Sequence, residues 1–238
     1  MTRHAAPAAP NRPAPSAVLR VKLALADPSV HAATTALWRH EPAVLRPRYL
    51  AYLYEMHALI RASVPLMERA ALRCAELAPG DPAAGPLGRY LERHIEQERG
   101  HDAWLLEDLA AAGGDPARAV GRLPSPIVAE LAGAQYYWIE HHHPVALLGY
   151  IRVLEGNAPA PRLADRLAER TGLPDAAFRT VREHAELDGA HLTDLDDLLD
   201  ALPLTPVQQT ALAVSALRTA AGLTRLFSYL ATTPGDPT

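Results

Sequence analysis

The sequence predicts an all-α protein that folds as a single domain, a bundle of seven to eight helices. Apolar residues recur at helical spacing along almost the whole chain after the first fifteen residues, and no segment alternates like a strand. Proline and glycine fall where long helices would end rather than in hairpin turns. The chain has 238 residues, 49% of them hydrophobic, which suffices for one substantial core.

The first helices follow an Ala- and Pro-rich segment, residues 1–15, for which we expect a disordered leader. This leader lacks the apolar core of a secretory signal. Residues 16–40 predict one or two helices, and residues 42–77 predict a long one. Pro65 should kink or split the long helix, because proline lacks an amide hydrogen and its ring clashes with the preceding turn.

The middle of the chain predicts a helix over residues 86–112, which the glycines and proline of residues 113–116 bring to an end. Residues 125–126, Ser-Pro, then supply an N-cap and a proline at the first helical position. The helical pattern that they open runs to Glu155 and is broken near Pro144.

The last third predicts a short amphipathic helix at residues 161–170, a longer one over 174–202, and a final one to residue 231. The final helix opens at Thr-Pro, another N-cap signature. We therefore assign one helical domain to residues 16–232 and a disordered tail to residues 233–238.

Composition restricts the partners and the compartment. The net charge is −4 with both signs mixed along the chain, so no basic patch indicates nucleic acid. No stretch is long and apolar enough for a membrane span, and we expect a cytoplasmic protein. Cys74 is the single cysteine, which excludes an internal disulfide and any cluster of thiolate ligands.

Two stripes of ionisable residues carry the functional signal, each with two histidines flanking an acid at steps of four and three residues. They are His94, Glu98 and His101 in the first stripe, and His184, Asp188 and His191 in the second. On a helix this spacing places all three side chains in one sector. Imidazole and carboxylate suit iron, manganese or zinc. Taken alone, the first stripe is also explained as a solvated face with a hydrogen bond between Glu98 and His101.

A third helix offers one more carboxylate. Glu155 is the single acid in the apolar stretch HPVALLGYIRVLEG, so it would be buried if that helix packs inward. It could then bridge two metal ions held by the stripes. The alternative is an ion pair with Arg152, one turn earlier on the same helix.

These motifs resemble the six-ligand signature of the haem-oxygenase-like diiron oxidases, often labelled iron-containing redox enzymes. The resemblance covers roughly residues 42–202, and its last motif is the most specific. It implies a haem-oxygenase-like helical bundle with a central dimetal site. It further implies that two irons are held by Glu98, His101, Glu155, His184, Asp188 and His191.

The resemblance also implies an enzyme, an oxidoreductase that uses O₂ as cosubstrate to oxidise a small organic molecule. Members of the family decarboxylate fatty acids, oxygenate nitrogen groups or cleave amino acids. The two ions would be Fe(II)/Fe(III), although manganese suits the same ligand types. The sequence is compatible with an external electron donor and with a homodimer.

Four further residues are candidates around the centre. His94 lies one turn before Glu98 and would orient a ligand or act as an extra one. His57, Arg61 and Arg152 are candidates for the substrate site. An arginine there would bind a carboxylate, which favours an amino acid or a fatty acid as substrate. The alternative is that both arginines are surface residues or form structural ion pairs.

The sequence also allows three alternative functions. A ferritin-like centre would use a second Glu-x-x-His pair, Glu140 and His143, with Glu55 as a lone carboxylate, but Pro144 disfavours helix there. An iron-storage protein would need the same ligands without a substrate. A metal-free hydrolase of the thiaminase (TenA) type would need an activated thiol, whereas Cys74 lies in an ordinary amphipathic stripe.

Overall fold

The computed structural model describes residues 13–233, and this part is all-α, as predicted, with twelve α-helices, one 3₁₀ turn at Asp175–Phe178 and no strand. The first helices are α1 (Pro15–Leu23), α2 (Asp27–Trp38), α3 (Pro42–Ile60), α4 (Ser63–Leu77), α5 (Ala84–Glu98) and α6 (His101–Ala111). The remaining helices are α7 (Pro116–Gly121), α8 (Pro126–His141), α9 (Ala146–Gly156), α10 (Leu163–Thr171), α11 (Arg179–Ala201) and α12 (Pro206–Thr232). Most of the predicted leader, residues 1–15, and of the tail, residues 233–238, lies outside the described residues.

The long helix predicted over residues 42–77 is split, but not at Pro65 itself. Helix α3 ends at Ile60 and α4 begins at Ser63, so Pro65 sits in the first turn of α4. Its ring would clash with the carbonyl of Arg61 in a continuous helix. The proline therefore ends the helix five residues before its own position.

The prediction of one continuous helix over residues 86–112 is wrong. Arg99 is extended and Gly100 is left-handed, with φ of 90°, so α5 ends at Glu98 and α6 begins at His101. Glycine takes this conformation without the steric cost that other residues incur. Glu98 and His101 therefore belong to different helices.

Most predicted helix ends are confirmed. Helix α8 begins after Ser125, whose hydroxyl accepts a hydrogen bond from the amide of Val128. The break near Pro144 separates α8 from α9. Helix α12 begins with a capping box, in which Thr205 and Gln208 bond each other's backbone amides. The short helix α7 was not predicted.

Helix α12 is the centre of the core and packs against α2, α8 and α9. Gly149 lets α9 approach it closely, since a Cβ atom there would lie 2.8 Å from the amide nitrogen of Ala216. Helix α11 packs against α6 and α9. Through these contacts α6, α9 and α11 come together in the middle of the bundle. No helix in the described part is long and apolar enough to span a membrane.

Candidate metal centre

The two stripes and Glu155 converge in the interior of the bundle. They lie on α5, α6, α9 and α11. Three helices were predicted to carry them, and the break at Gly100 divides the first of these into α5 and α6. All these side chains are buried or nearly so. The buried members are His94, His101, Glu155, Asp188 and His191, while Glu98 and His184 are partly buried.

One cluster of possible ligand atoms consists of Glu98, His101 and His184, all within 4.8 Å of one another. The Nδ1 atom of His101 lies 3.2 Å from Oε2 of Glu98, across the break between α5 and α6. The rings of His101 and His184 meet edge to face, with centroids 5.0 Å apart. Two imidazoles and a carboxylate thus face one point.

A second cluster consists of His94, Glu98, Glu155 and His191, again with ligand atoms within 4.8 Å. Nε2 of His94 lies 3.0 Å from Oε1 of Glu155, and Nδ1 of His191 lies 3.5 Å from the same oxygen. His191 Nδ1 also lies 3.7 Å from Oε1 of Glu98. Glu98 belongs to both clusters, with one oxygen directed to each.

His94 therefore lies in the position of an extra ligand, one of its two predicted roles, whereas the predicted ligand Asp188 lies outside both clusters. Asp188 is buried and lines the adjoining cavity, but belongs to neither cluster. Burial, together with the nearby carboxylates of Glu155 and Glu98, raises the pKa of Asp188 to about 7. Asp188 therefore lies near the carboxylates of Glu155 and Glu98, on the helix that also carries His184 and His191.

Local hydrogen bonds orient two of the histidines. Nδ1 of His184 donates to the carbonyl of Thr180 at 2.9 Å, because a carbonyl can only accept. Nδ1 of His94 lies 3.1 Å from the side-chain oxygen of Gln97 and has a similar partner. In both residues Nε2 is left for the cluster. A ligand histidine is usually held in this way through its other nitrogen.

The donor set fits metal ions. Both carboxylate oxygens of Glu155 and the Nδ1 atoms of His101 and His191 are buried without a hydrogen-bond partner. Burial lowers the pKa of His94, but the contacts with Glu155 and Gln97 and the charge of Glu98 together outweigh burial and leave that pKa raised. Such buried, unsatisfied acids and imidazoles are costly unless a cation compensates them.

A cavity of about 720 Å³ adjoins the centre, a volume typical of small-molecule sites. Its wall is mainly apolar, and Glu98, Glu155 and Asp188 form its acidic end. The aromatic side chains in the wall include Trp38 and Tyr52, which sequence reasoning did not single out. Aromatic residues at helical spacing are equally typical of a core, so no sequence signal marked them.

The predicted substrate residues His57, Arg61 and Arg152 do not line the cavity. Arg61 donates to the carbonyl of Val120 at the surface. Arg152 forms an ion pair with Asp196 at 3.0 Å, instead of the predicted alternative partner Glu155. His57 is buried, but it does not line the cavity, and burial lowers its pKa. The geometry thus favours the alternative reading of both arginines as surface or ion-paired residues.

The residues of the ferritin-like alternative are occupied elsewhere. The carboxylate of Glu55 pairs with Arg122 at 3.0 Å, and Glu140 pairs with Arg69. His143 lies 3.1 Å from Asp81. Neither cluster contains any of these acids or His143.

The thiol that a thiaminase-type hydrolase would need is not activated. Cys74 is buried, and burial followed by the charge of Asp81 raises its pKa to about 12. A thiol with so high a pKa holds its proton at neutral pH and is a poor nucleophile.

Solved structures share this fold over most of their length. A domain of unknown function with a haem-oxygenase-like fold from Shewanella denitrificans is 16% identical, with a TM-score of 0.69 over 91% of this chain and 88% of that one. A TenA homologue from Pseudomonas syringae is 14% identical, with a TM-score of 0.71 over 97% and 98%. A CADD-like protein of unknown function from Nostoc punctiforme is 14% identical, with a TM-score of 0.63 over 90% and 100%.

These identities are too low to show more than a common fold, which is haem-oxygenase-like as predicted. A search of curated proteins gives no match. A sequence model of a family described as iron-containing redox enzymes, however, matches residues 82–223, which include both stripes and Glu155. The chain therefore belongs to the iron-containing redox enzyme family and carries the haem-oxygenase-like fold.

Proposed function

We propose that this protein is an O₂-dependent non-haem diiron oxidase that oxidises a small organic substrate bound in the cavity. The observation that carries the proposal is the pair of ligand clusters that share Glu98 and open into a cavity. Two irons held there would supply electrons and open coordination positions for the activation of O₂. The family description, iron-containing redox enzyme, supports the metal and the reaction class.

The residues of the chain have distinct parts in this proposal. Glu98 would hold both ions, His101 and His184 would hold one of them, and His94, Glu155 and His191 would hold the other. Asp188 would complete the coordination from α11 once a cation lowers its pKa. Thr180 and Gln97 hold the histidine rings in position. The apolar wall excludes water from the centre and binds the substrate.

The shape and lining of the cavity favour a substrate with an apolar body over a free amino acid. A storage protein needs the ligands alone, and a cavity of this size beside them would serve no purpose. Manganese suits the same ligand types, so each test of metal binding should include both ions.

The first experiment counts metal ions in two variants. Chelated protein titrated anaerobically with Fe(II) should bind two irons per chain. Glu98→Ala should lose both, because Glu98 belongs to both clusters. Glu96→Ala is the matched control on the same helix, since Glu96 is exposed and pairs with Arg99. Two irons retained in Glu98→Ala would contradict the assignment.

The second experiment separates an oxidase from a storage protein. The iron-loaded protein is exposed to O₂ with and without candidate apolar acids, and O₂ consumption and oxidised product are measured. An oxidase consumes O₂ in proportion to the product. Consumption that is independent of any added compound, with ferric iron as the only product, would favour storage.

A further inference from the structure

The charged residues that line the cavity are segregated between its two ends. The acids at the metal end are buried, with Glu155 and Asp188 only 7% and 4% exposed. The lining arginines are all exposed, which places them where the cavity opens to solvent, at the end of α2 and on α10. They are Arg39, Arg166 and Arg170, and no lysine lines the cavity within the described part of the chain.

Arg170 has a structural role in this arrangement. Its guanidinium donates to the carbonyl oxygens of Trp38, at 2.9 Å, and of His40. These carbonyls flank Arg39 on both sides. The contact therefore fixes the segment between α2 and α3 against α10 and holds the backbone of Arg39 at the mouth of the cavity.

Arg39 and Arg166 have no such partner. Among the described residues neither guanidinium forms a hydrogen bond or an ion pair. Asp165, which neighbours Arg166 in sequence, is engaged by Arg182 at 3.3 Å. Two cationic groups at the mouth are thus left for a ligand. Guanidinium groups bind carboxylates and phosphates through paired hydrogen bonds.

The wall between the two ends is apolar. Side chains from α3 and α9 form much of it, namely Met56, Leu59, Ile60, Leu147, Ile151 and Leu154. A hydrocarbon chain would bury its surface here, and the removal of apolar surface from water favours binding. The lining therefore complements a molecule that is charged at one end and apolar along its length.

We propose that the cavity binds an amphipathic anion, an alkyl carboxylate or alkyl phosphate, with its charged group on Arg39 and Arg166 and its chain directed to the metal centre. This inference deepens the proposed function and rests on it for the reaction. The atom presented to the irons would belong to the apolar chain, remote from the charged group. The anion does not need the irons in order to bind.

In the metal-free protein the electrostatics of the cavity favour this orientation over the reverse one. An anion at the deep end would approach the buried carboxylates of Glu155 and Asp188 and would lose its hydration there. At the mouth the same anion stays partly hydrated, and the charged lining groups that it meets there are arginines. The charge distribution therefore selects which end of the ligand enters first.

The test measures binding to the metal-free protein by calorimetry, with decanoate, decyl phosphate and decanol as probes. We expect both anions to bind. Arg39→Gln and Arg166→Gln should each weaken binding of the anions about tenfold, as expected for a charge-assisted hydrogen bond, and leave decanol unaffected. Arg162→Gln is the matched control, because Arg162 is exposed and lies one turn before Arg166 but does not line the cavity.

Decanol also controls for folding, since a variant that binds it normally retains the apolar wall. Anion binding unchanged in both arginine variants would overturn the proposal. So would an increase of more than about tenfold in decanoate affinity on adding Zn²⁺, which would place the carboxylate at the metal. A preference for decyl phosphate over decanoate, lost in both variants, would support it and identify phosphate as the charged group.

Failure of the proposed function would look different. If the protein bound decanoate through Arg39 and Arg166 but bound no iron, the anion site would stand and the proposed diiron centre would be wrong. If it bound two irons but no amphipathic anion, the diiron centre would stand and the anion site would be wrong.

Discussion

The carboxylate of Asp108 in α6 accepts a hydrogen bond of 2.9 Å from the backbone amide of Thr180 in the first turn of α11. It also accepts one of 3.1 Å from the amide of Arg179. These amides have no partner within α11 itself, so the side chain of another helix caps its N-terminus. Asp108 thereby fixes α6, which begins at His101, against the turn that precedes His184.

Replacing Asp108 by alanine should lower both stability and metal affinity. The change leaves two amides at a helix N-terminus without an acceptor, which costs about 1 to 2 kcal/mol of unfolding free energy. Because His101 and His184 lose their common anchor, the cluster that they form with Glu98 should bind iron more weakly. Urea unfolding and anaerobic Fe(II) titration measure the two effects.

Asp115→Ala is the matched control, because Asp115 caps the short helix α7 and is exposed. It should cost some stability and leave iron affinity as it is. Equal iron binding by Asp108→Ala and the wild type would show that the cap has no part in positioning the ligands.

Gly100→Ala tests the break between α5 and α6. The backbone of Gly100 is left-handed, and alanine in this conformation costs roughly 1 to 2 kcal/mol. Space is not the problem, since a Cβ atom there would have no neighbour within 4 Å. Relief of the strain would move His101 relative to Glu98, so we expect weaker iron binding as well as a lower melting temperature.

A glycine-to-alanine change at Gly133 should have the opposite effect on stability. It lies in α8, is exposed and also has open space for a Cβ atom. Gly133→Ala should therefore raise the unfolding free energy by about 0.5 to 1 kcal/mol. If both substitutions stabilise the protein, the left-handed break at Gly100 is not required.

His94→Ala should reduce the iron content from two to one per chain. His94 contributes to the cluster with Glu155 and His191, whereas His101 and His184 are independent of it. Metal analysis after anaerobic loading measures the loss. An unchanged content of two irons would reduce His94 to a group that orients Glu155.

His143→Ala is the control for this experiment. Its ring is buried, accepts from the amide of Val145 and contacts Asp81, outside both clusters. The variant should be less stable but should hold two irons. A loss of iron here, with none in His94→Ala, would revive the ferritin-like arrangement.

Helix ends were predictable because short-range chemistry determines them. The N-caps at Ser125 and Thr205 and the break near Pro144 follow from single residues and their neighbours. The sequence did not indicate a break at Gly100, because one glycine costs a helix only about 1 kcal/mol and the Glu-x-x-His spacing is typical of a continuous helix. Glycine adopts helical and left-handed backbone alike, so the residue type did not indicate which of the two Gly100 takes.

The residues of the site were predictable from the spacing of the stripes and from the isolated acid Glu155, but their partners were not. Helical spacing put His184, Asp188 and His191 on one face of α11, but it did not show that His184 and His191 belong to different clusters or that His94 contacts Glu155 on another helix. The cavity joins segments that are distant in sequence, so nothing local distinguished Arg39 and Arg166 from Arg61 and Arg152. Partners such as Asp196 for Arg152 are set by packing alone.

The raised pKa of Asp188 predicts a dependence of stability on pH in the metal-free protein. The folded pKa is about 7, and that of the unfolded chain is about 3.9. The folded state thus binds a proton that the unfolded state releases between these values. The stability that this proton confers is complete below pH 4 and is lost as the pH rises through 7.

Asp188→Asn removes the ionisation and should make the metal-free protein more stable than the wild type. The gap should be about 2 to 3 kcal/mol larger at pH 8 than at pH 5, which urea unfolding in the presence of a chelator can measure. Asp197→Asn, an exposed change on the same helix, should show no such dependence. With iron bound the wild type should be more stable than Asp188→Asn, because the cation stabilises the ionised Asp188. A gap independent of pH would mean that Asp188 is already ionised in the folded, metal-free protein.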